Sequence, residues 1–379
     1  MGFDWYRHLW PVVRRLPVEL AHDLGMLALR APWPLGPRAP LDPFEWRGHS
    51  FRNRVGIAAG FDKNAAVLPG LERLGVGFVE VGTVVTRPWP GHPGPRMTRL
   101  PGEQAIWNRL GFPSVGAERV VRRLRSLASR CPELTIGCNV APHPLTVRCS
   151  DTAPDFLARA QAELRELADL LHAHASFFVL NLSSPNTAGL RRLLYGPTFA
   201  GELVAPLRER LSALDRAGRR PLPTLLLVKL PPEDAEGRPW EAETLGAVVT
   251  PLRDPSVCDG FVAVNTSVEL ALEREPLATA DRPGGLSGAP LLPLARNTLG
   301  LLREIAAPEQ LRIGVGGVLE PQDAVALVDA GAHLVELLSG LIYRGPGLVA
   351  RCVRELAHQR PATGRSREPS ERATAGSGG

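Results

Sequence analysis

Apolar and β-branched residues gather in eight short runs, at 55–60, 78–84, 134–140, 177–184, 225–230, 261–267, 311–317 and 334–340. Each has the length of a strand buried on both faces, and such strands read as near-continuous apolar stretches. Between most of them, apolar residues recur at helical spacing, over 115–130, 153–174, 199–216, 240–252, 291–305, 321–330 and 346–357. Eight strands alternating with helices predict an α/β fold, a (β/α)8 barrel of the TIM type spanning 55–358.

The first 31 residues follow a different pattern and predict a small helical extension. Phe3, Tyr6, Trp10 and Val13 share one helical face, and Val18, Ala21, Leu24, Leu27 and Ala28 repeat the pattern after Pro17, a suitable first helical residue. Pro11 is expected to kink or break the first segment. With Arg7, Arg14, Arg15 and Arg30 available to the polar face, the pair fits either a lid packed on the barrel or a helix pair lying in a membrane interface. The Pro-rich stretch that follows makes 32–54 the linker and approach to the barrel. The Gly-, Ser-, Arg- and Glu-rich tail, 359–379, is expected to be disordered.

Composition narrows the class. Hydrophobic residues are 44% and charged residues 22% of 379, as in a globular chain, and no apolar run is long enough to span a membrane. The start of the chain carries an early acid and no unbroken apolar core, so it does not read as a secretory signal, and the default compartment is cytoplasmic. Five cysteines without a C-x-x-C pair predict free thiols rather than a disulfide framework or a zinc site. The formal charge of +5 falls to +3 without the tail after His358, which holds four Arg and two Glu; no nucleic-acid footprint remains.

Of the 44 basic residues, only Lys63 and Lys229 are lysine. Where either cation serves, this chain uses Arg, so the two exceptions point to positions needing a compact ammonium with rotatable donors. In a (β/α)8 barrel the site lies at the C-terminal strand ends. Those ends are Ala59-Gly60, Gly82-Thr83, Asn139, Asn181 to Ser184, Lys229, Asn265-Thr266, Gly316-Gly317 and Ser339-Gly340. Five of the eight asparagines, Asn108, Asn139, Asn181, Asn186 and Asn265, fall at or near this face. Amides and hydroxyls here suit a neutral or anionic heterocycle with several carbonyl and amide edges. Glycines at the seventh and eighth strand ends occupy the usual barrel position for a phosphate, which suggests a phosphorylated cofactor. The chain has no Rossmann fingerprint, Walker loop or H-E-x-x-H, and His172 and His174 are poor co-ligands, so no metal is expected.

Several motifs occur in a characteristic order: Ala58-Ala59-Gly60-Phe61-Asp62-Lys63-Asn64, Gly82-Thr83-Val84, Asn108-Arg109-Leu110-Gly111-Phe112, Asn181-Leu182-Ser183-Ser184-Pro185-Asn186-Thr187, Val228-Lys229, Asn265-Thr266, Gly285-Leu286-Ser287-Gly288 and Gly314 to Gly317. In these the chain resembles the dihydroorotate dehydrogenases over residues 1 to about 357, in particular the quinone-linked, membrane-associated class 2.

The resemblance implies a flavoprotein of de novo pyrimidine (UMP) biosynthesis. It would oxidise (S)-dihydroorotate to orotate, pass electrons to a membrane quinone, and sit peripherally on the cytoplasmic side of the cell membrane. FMN would lie across the strand ends, its phosphate near Gly317, Ser339 and Gly340 and its ring near Ala59, Gly60, Thr83, Asn139 and Lys229, with Gly288 in the same set. Lys63, Asn108, Asn181, Asn186, Asn265 and Thr266 would hold the substrate, Lys63 pairing with its carboxylate. Ser184 resembles the catalytic base, 185–195 its lid, and His22 and Arg99 would face the quinone tunnel, although Arg96-x-x-Arg99 also suits an ordinary hairpin.

Three segments depart from the family pattern. Val140-Ala141-Pro142-His143-Pro144 stands where Gly-Lys-Asn-Lys is usual after Asn139, Pro113-Ser114 replaces a paired Asn, and Leu338 replaces a Tyr. The same motifs would also fit a paralogue acting on a different ring, or a silent barrel kept for binding.

Overall fold

The computed structural model describes residues 5–32, 36–148, 153–187, 190–196 and 199–359. Cys149 and, beyond Gln359, the tail expected to be disordered lie outside them. Eight parallel strands, β1 (Val55–Ile57), β2 (Phe78–Val84), β3 (Thr135–Val140), β4 (Phe177–Leu180), β5 (Leu225–Leu230), β6 (Gly260–Ala263), β7 (Leu311–Val315) and β8 (Leu334–Leu337), pair in sequence order. The pairing of β5 with β6 and of β8 with β1 closes them into a barrel. Helices including Ala117–Leu127, Ala205–Gly218, Leu292–Ile305, Pro321–Ala330 and Gly347–His358 cover the outside.

Side chains alternate along each strand, so every second residue points inward. The inner set contains Phe78, Phe177, Val179, Leu225, Leu227, Val262, Leu311, Ile313 and Leu334, a packed core rather than a pore. Two glycines make room for its aromatic rings. A Cβ on Gly137 would sit 2.0 Å from the ring of Phe177, and one on Gly56 would sit 2.4 Å from that of Phe78. The hairpin of strands Phe44–Trp46 and His49–Phe51 lies within the segment expected to be linker. Phe51 and Phe78 meet edge to face at 5.8 Å, so this hairpin closes the barrel's lower end.

Several predicted strands overran at their C-terminal ends. Runs expected to reach 60, 184, 267 and 340 stop as strands at 57, 180, 263 and 337. Beyond those points the chain turns over the barrel rim and carries polar side chains into the space above the core. Beside that rim lies a three-stranded antiparallel sheet of Met97–Leu100, Ala105–Asn108 and Gly285–Gly288, with Trp107 fully buried.

The amino-terminal unit is two helices, α1 (Trp5–Val13) and α2 (Val18–Arg30). The helix does not break at Pro11. It ends two residues later, with Arg14 N donating to Trp10 O at 2.9 Å. Proline lacks a donor and crowds the preceding turn, so only this short extension follows it. One side of the unit packs on the barrel, where Trp10 and Tyr343 lie 5.0 Å apart and Tyr6 Oη donates to Ile342 O at 2.6 Å. The other side leaves Leu9, Val12, Leu20, Leu24 and Leu27 exposed. Among the described residues no helix is long and apolar enough to cross a membrane.

Candidate active site

Above the apolar layers, the inward alternation reaches polar residues: Glu80 on β2, Asn139 on β3, Lys229 on β5 and Glu336 on β8, each at most 4% exposed. Lys229 Nζ donates to Glu80 Oε2 at 3.1 Å, and Asn139 Nδ2 donates to Glu80 Oε1. From this layer an amide and hydroxyl network climbs to the rim. Thr83 Oγ1 donates to Asn139 Oδ1 at 2.6 Å, and Asn181 Nδ2 donates to Thr83 Oγ1 and Asn139 Oδ1, each at 3.2 Å. Asn181 Oδ1 accepts from Ser183 Oγ at 3.0 Å and Asn265 Nδ2 at 3.3 Å. The bonds fix each amide's orientation before any ligand arrives, which is how a site holds its geometry through binding.

Over this layer is a cavity with about 1270 Å³ of atom-free space, part of it open to solvent. Of the residues expected at the site, it is lined by Ser184, Lys63, Asn108, Asn181, Asn186, Asn265 and Thr266. Ala59, Gly60, Thr83, Lys229, Gly288, Gly317, Ser339 and His22 line it as well. Asn139 and Gly340 do not reach its surface; Asn139 acts one layer down through Thr83 and Asn181. A Cβ on Gly340 would come within 2.1 Å of Val318 O, so this glycine allows a close backbone approach at the end of β8. Arg99 also lies outside the cavity lining. Its guanidinium donates to Leu16 O at 2.8 Å and Arg14 O at 3.5 Å, clamping the turn between α1 and α2, and its strand is one arm of the hairpin that the Arg-x-x-Arg spacing also allowed.

Lys63 Nζ donates to Gly60 O at 2.6 Å. Burial, with Arg96 acting in the same direction and Asp62 opposing, pushes its ammonium down to about 8. Burial, aided by the positive charge of Lys63, pushes His22 at the cavity mouth down to about 4, so its imidazole is neutral at pH 7. Ser184, 4% exposed, accepts from Asn186 N at 3.2 Å. Asn186 Nδ2 donates to Asn108 Oδ1 at 3.2 Å, while Asn186 Oδ1 is buried without a hydrogen-bond partner, an acceptor that a ligand donor would satisfy.

Other residues at the site were given no individual role in the sequence, although Arg191 closes the segment Gly189-Leu190-Arg191 that follows the serine motif. Arg191 joins three strand ends: it donates to Ser183 O at 2.9 Å, to Thr266 O at 3.1 Å and to Glu233 Oε1 at 3.1 Å. His92 hydrogen-bonds Asn186 O at 2.7 Å. The acids Glu80 and Glu336 were also missed, although each interrupts an apolar run, Phe-Val-Glu-Val and Leu-Val-Glu-Leu, at an inward position.

The altered loops are built into the fold. His143 N and Thr146 Oγ1 each donate to the Glu163 carboxylate at 2.7 Å, and Pro144–Arg148 forms a short helix. Ser114 exchanges backbone bonds with Trp89 at 2.8 and 2.9 Å, and Pro113 and Leu338 line the cavity.

At the end of β7, Gly316 and Gly317 have φ of 132° and 79°. A Cβ on Gly317 would sit 2.5 Å from Leu292 Cβ, so only glycine fits. The hydroxyls of Ser287 and Ser339 lie 2.8 Å apart at the same end. Bare backbone and hydroxyls at one end, amides in the middle and a buried ammonium below fit a phosphate-bearing heterocyclic cofactor.

Fold and site together define an α/β barrel whose one rim cavity has the chemistry to take a phosphorylated cofactor beside an anionic ring. The family model for dihydroorotate dehydrogenase matches residues 44–359, and the chain belongs to that family, which works with a flavin. It is 37% identical to a dihydroorotate dehydrogenase (quinone) of Acidithiobacillus ferrooxidans, over 93% of this chain and 94% of that one. It is 38% identical to one of Stenotrophomonas maltophilia, over 94% and 97%. Its fold is similar to the crystal structure of the Eimeria tenella enzyme in complex with ferulenol, with a TM-score of 0.78, 29% identity and 94% of each chain covered.

Proposed function

We propose that this protein oxidises (S)-dihydroorotate to orotate in pyrimidine biosynthesis, with FMN as its flavin and quinone as the electron acceptor. The observation that carries the reading is the convergence of Ser184, Lys63 and four asparagines on one cavity whose floor holds Lys229. Asn108, Asn181, Asn186 and Asn265 offer amides to both edges of a pyrimidine ring, and Lys63 offers an ammonium to its carboxylate. Ser184 takes the proton beside the ring carbonyl; a serine is a weak base in water, so it must work in a closed site. Arg191, anchored to Ser183 and Thr266, holds the lid segment's base over these groups. Gly288, Gly317 and Ser339 at one end and Thr83 and Lys229 at the other would hold FMN, which would supply the hydride acceptor.

The helices α1 and α2 supply the route for quinone. Their exposed leucines suit a peripheral seat on the cytoplasmic face of the cell membrane, while His22 from α2, kept neutral, lines the cavity mouth. Arg99 serves this route by fixing the turn between the helices.

The test is anaerobic addition of dihydroorotate to purified, flavin-loaded protein, followed by a quinone. The flavin absorption band is expected to bleach and then return. A band that stays unbleached would assign the barrel to a different ring. No band after incubation with free FMN would leave a binding barrel without redox function.

A further inference from the structure

Three ionisable side chains meet in the layer beneath the cavity, and the reaction described above uses only Lys229. Glu80 is fully buried and accepts hydrogen bonds from Lys229 Nζ and Asn139 Nδ2. Glu336 is 1% exposed and lines the cavity, and neither of its carboxylate oxygens has a hydrogen-bond partner. An ionised carboxylate left in that state is costly. Protonated, the same side chain becomes a donor, and Glu80 is the acidic neighbour that acts on it. One ammonium balances one carboxylate here, and two neighbouring buried carboxylates that share it do not both ionise.

Among the described residues, no hydrogen-bond donor reaches either Glu336 oxygen. In register Glu336 lies beside Gly56 on β1 and Val315 on β7, which do not titrate. Glu80 from β2 and Lys229 from β5 are the titratable groups that act on it. Burial first, then the charge of Glu80, push its carboxyl well above the usual carboxylate range, and Lys229 opposes them.

We propose that Glu336 is a positioning residue for the flavin reaction, a neutral carboxylic acid that shares its proton with Glu80 and keeps the layer beneath the flavin free of net negative charge. The proposal rests on the flavin reading above. A hydride acceptor gains one negative charge, and a second anion in the layer below would oppose that charge and divert Lys229 from it. The arrangement works only while Glu336 keeps its proton. At alkaline pH its loss weakens flavin binding and makes the bound flavin harder to reduce.

Two measurements test this. The first is infrared spectroscopy of flavin-free protein at neutral pH. The wild type is expected to show the C=O stretch of a protonated carboxylic acid, shifted in D2O and absent from Glu336→Gln. In Glu80→Gln, where Lys229 is left to Glu336 alone, the stretch is expected to disappear. The second follows the flavin Kd and midpoint potential of the loaded protein against pH. Wild-type affinity is expected to fall by at least ~10-fold between neutral and alkaline pH, whereas Glu336→Gln, neutral throughout, stays nearly flat. Failure of Glu336→Gln to remove a carboxylic-acid stretch, or identical pH curves for the two proteins, would overturn the proposal. A carboxylic-acid stretch in protein that binds no flavin would overturn the role through failure of the flavin reading, with the shared proton still established.

Discussion

The proposed reaction gives Lys63 and Ser184 different parts, and their surroundings predict different failures. Lys63 holds an anion only while charged, and its pKa is pushed down to about 8, chiefly by burial. Affinity for orotate, read from its effect on flavin absorbance, is therefore expected to be full near pH 7 and to weaken as pH rises through 8, by about tenfold per unit at the limit. Lys63→Met should bind weakly at every pH; a wild type whose affinity stays flat up to pH ~9.5 would remove Lys63 from carboxylate binding. Ser184→Ala should keep its flavin but be reduced by dihydroorotate at least ~100-fold more slowly in stopped flow, the loss expected for a general base. An unchanged rate would take that role from Ser184. Both residues were legible in the sequence, one as a rare lysine and the other at a predicted strand end. Glu80 and Glu336 were not, because an acid inside an apolar run reads as a fault in the pattern until neighbouring strands supply Lys229 and Asn139.

At the scale of elements, α1 and α2 are joined to the barrel by polar contacts as well as by packing. Arg96 pairs with Glu19 at 2.7 Å, Arg99 caps the turn carbonyls, and Arg73 donates to Leu29 O at 2.9 Å. None of these involves the cavity asparagines. Deleting residues 1–31 is therefore expected to leave reduction by dihydroorotate intact while slowing reoxidation by quinone at least ~10-fold, as when a binding surface is removed. Single-turnover measurements of the two half-reactions check this, and normal quinone turnover by the shortened protein would contradict the tunnel. The helices themselves were readable from spacing. The sheet formed with Gly285–Gly288 was not, because its third strand comes from a segment far along the chain.

For the whole molecule, two half-buried imidazoles are pushed furthest towards their neutral form. Burial and the nearby cations Arg312 and Arg54 push His333 down to about 4, and His22 lies equally low. In the unfolded chain both bind protons near 6.5. Between 6.5 and 4 the unfolded state therefore holds more protons than the folded one, and stability falls as pH falls through that window. Calorimetry should show Tm declining from pH 6.5 towards 4; a constant Tm there would mean that these rings are not held neutral.

Local rules were enough for the eight barrel strands, the helices between them and the face on which chemistry would gather, since apolar periodicity reports burial and strand ends define one rim. They were also enough to single out the two lysines and the asparagines. The tertiary structure alone decided which of these meet. It ended the strands early and turned their tails into the cavity, sent Arg99 to the helical turn, and placed Asn139 beneath the surface as support for Thr83 and Asn181. It also brought Glu80, Lys229 and Glu336 from three separate strands into one layer. Barrel closure sets such encounters, and spacing along one strand holds no information about what the opposite strands contribute.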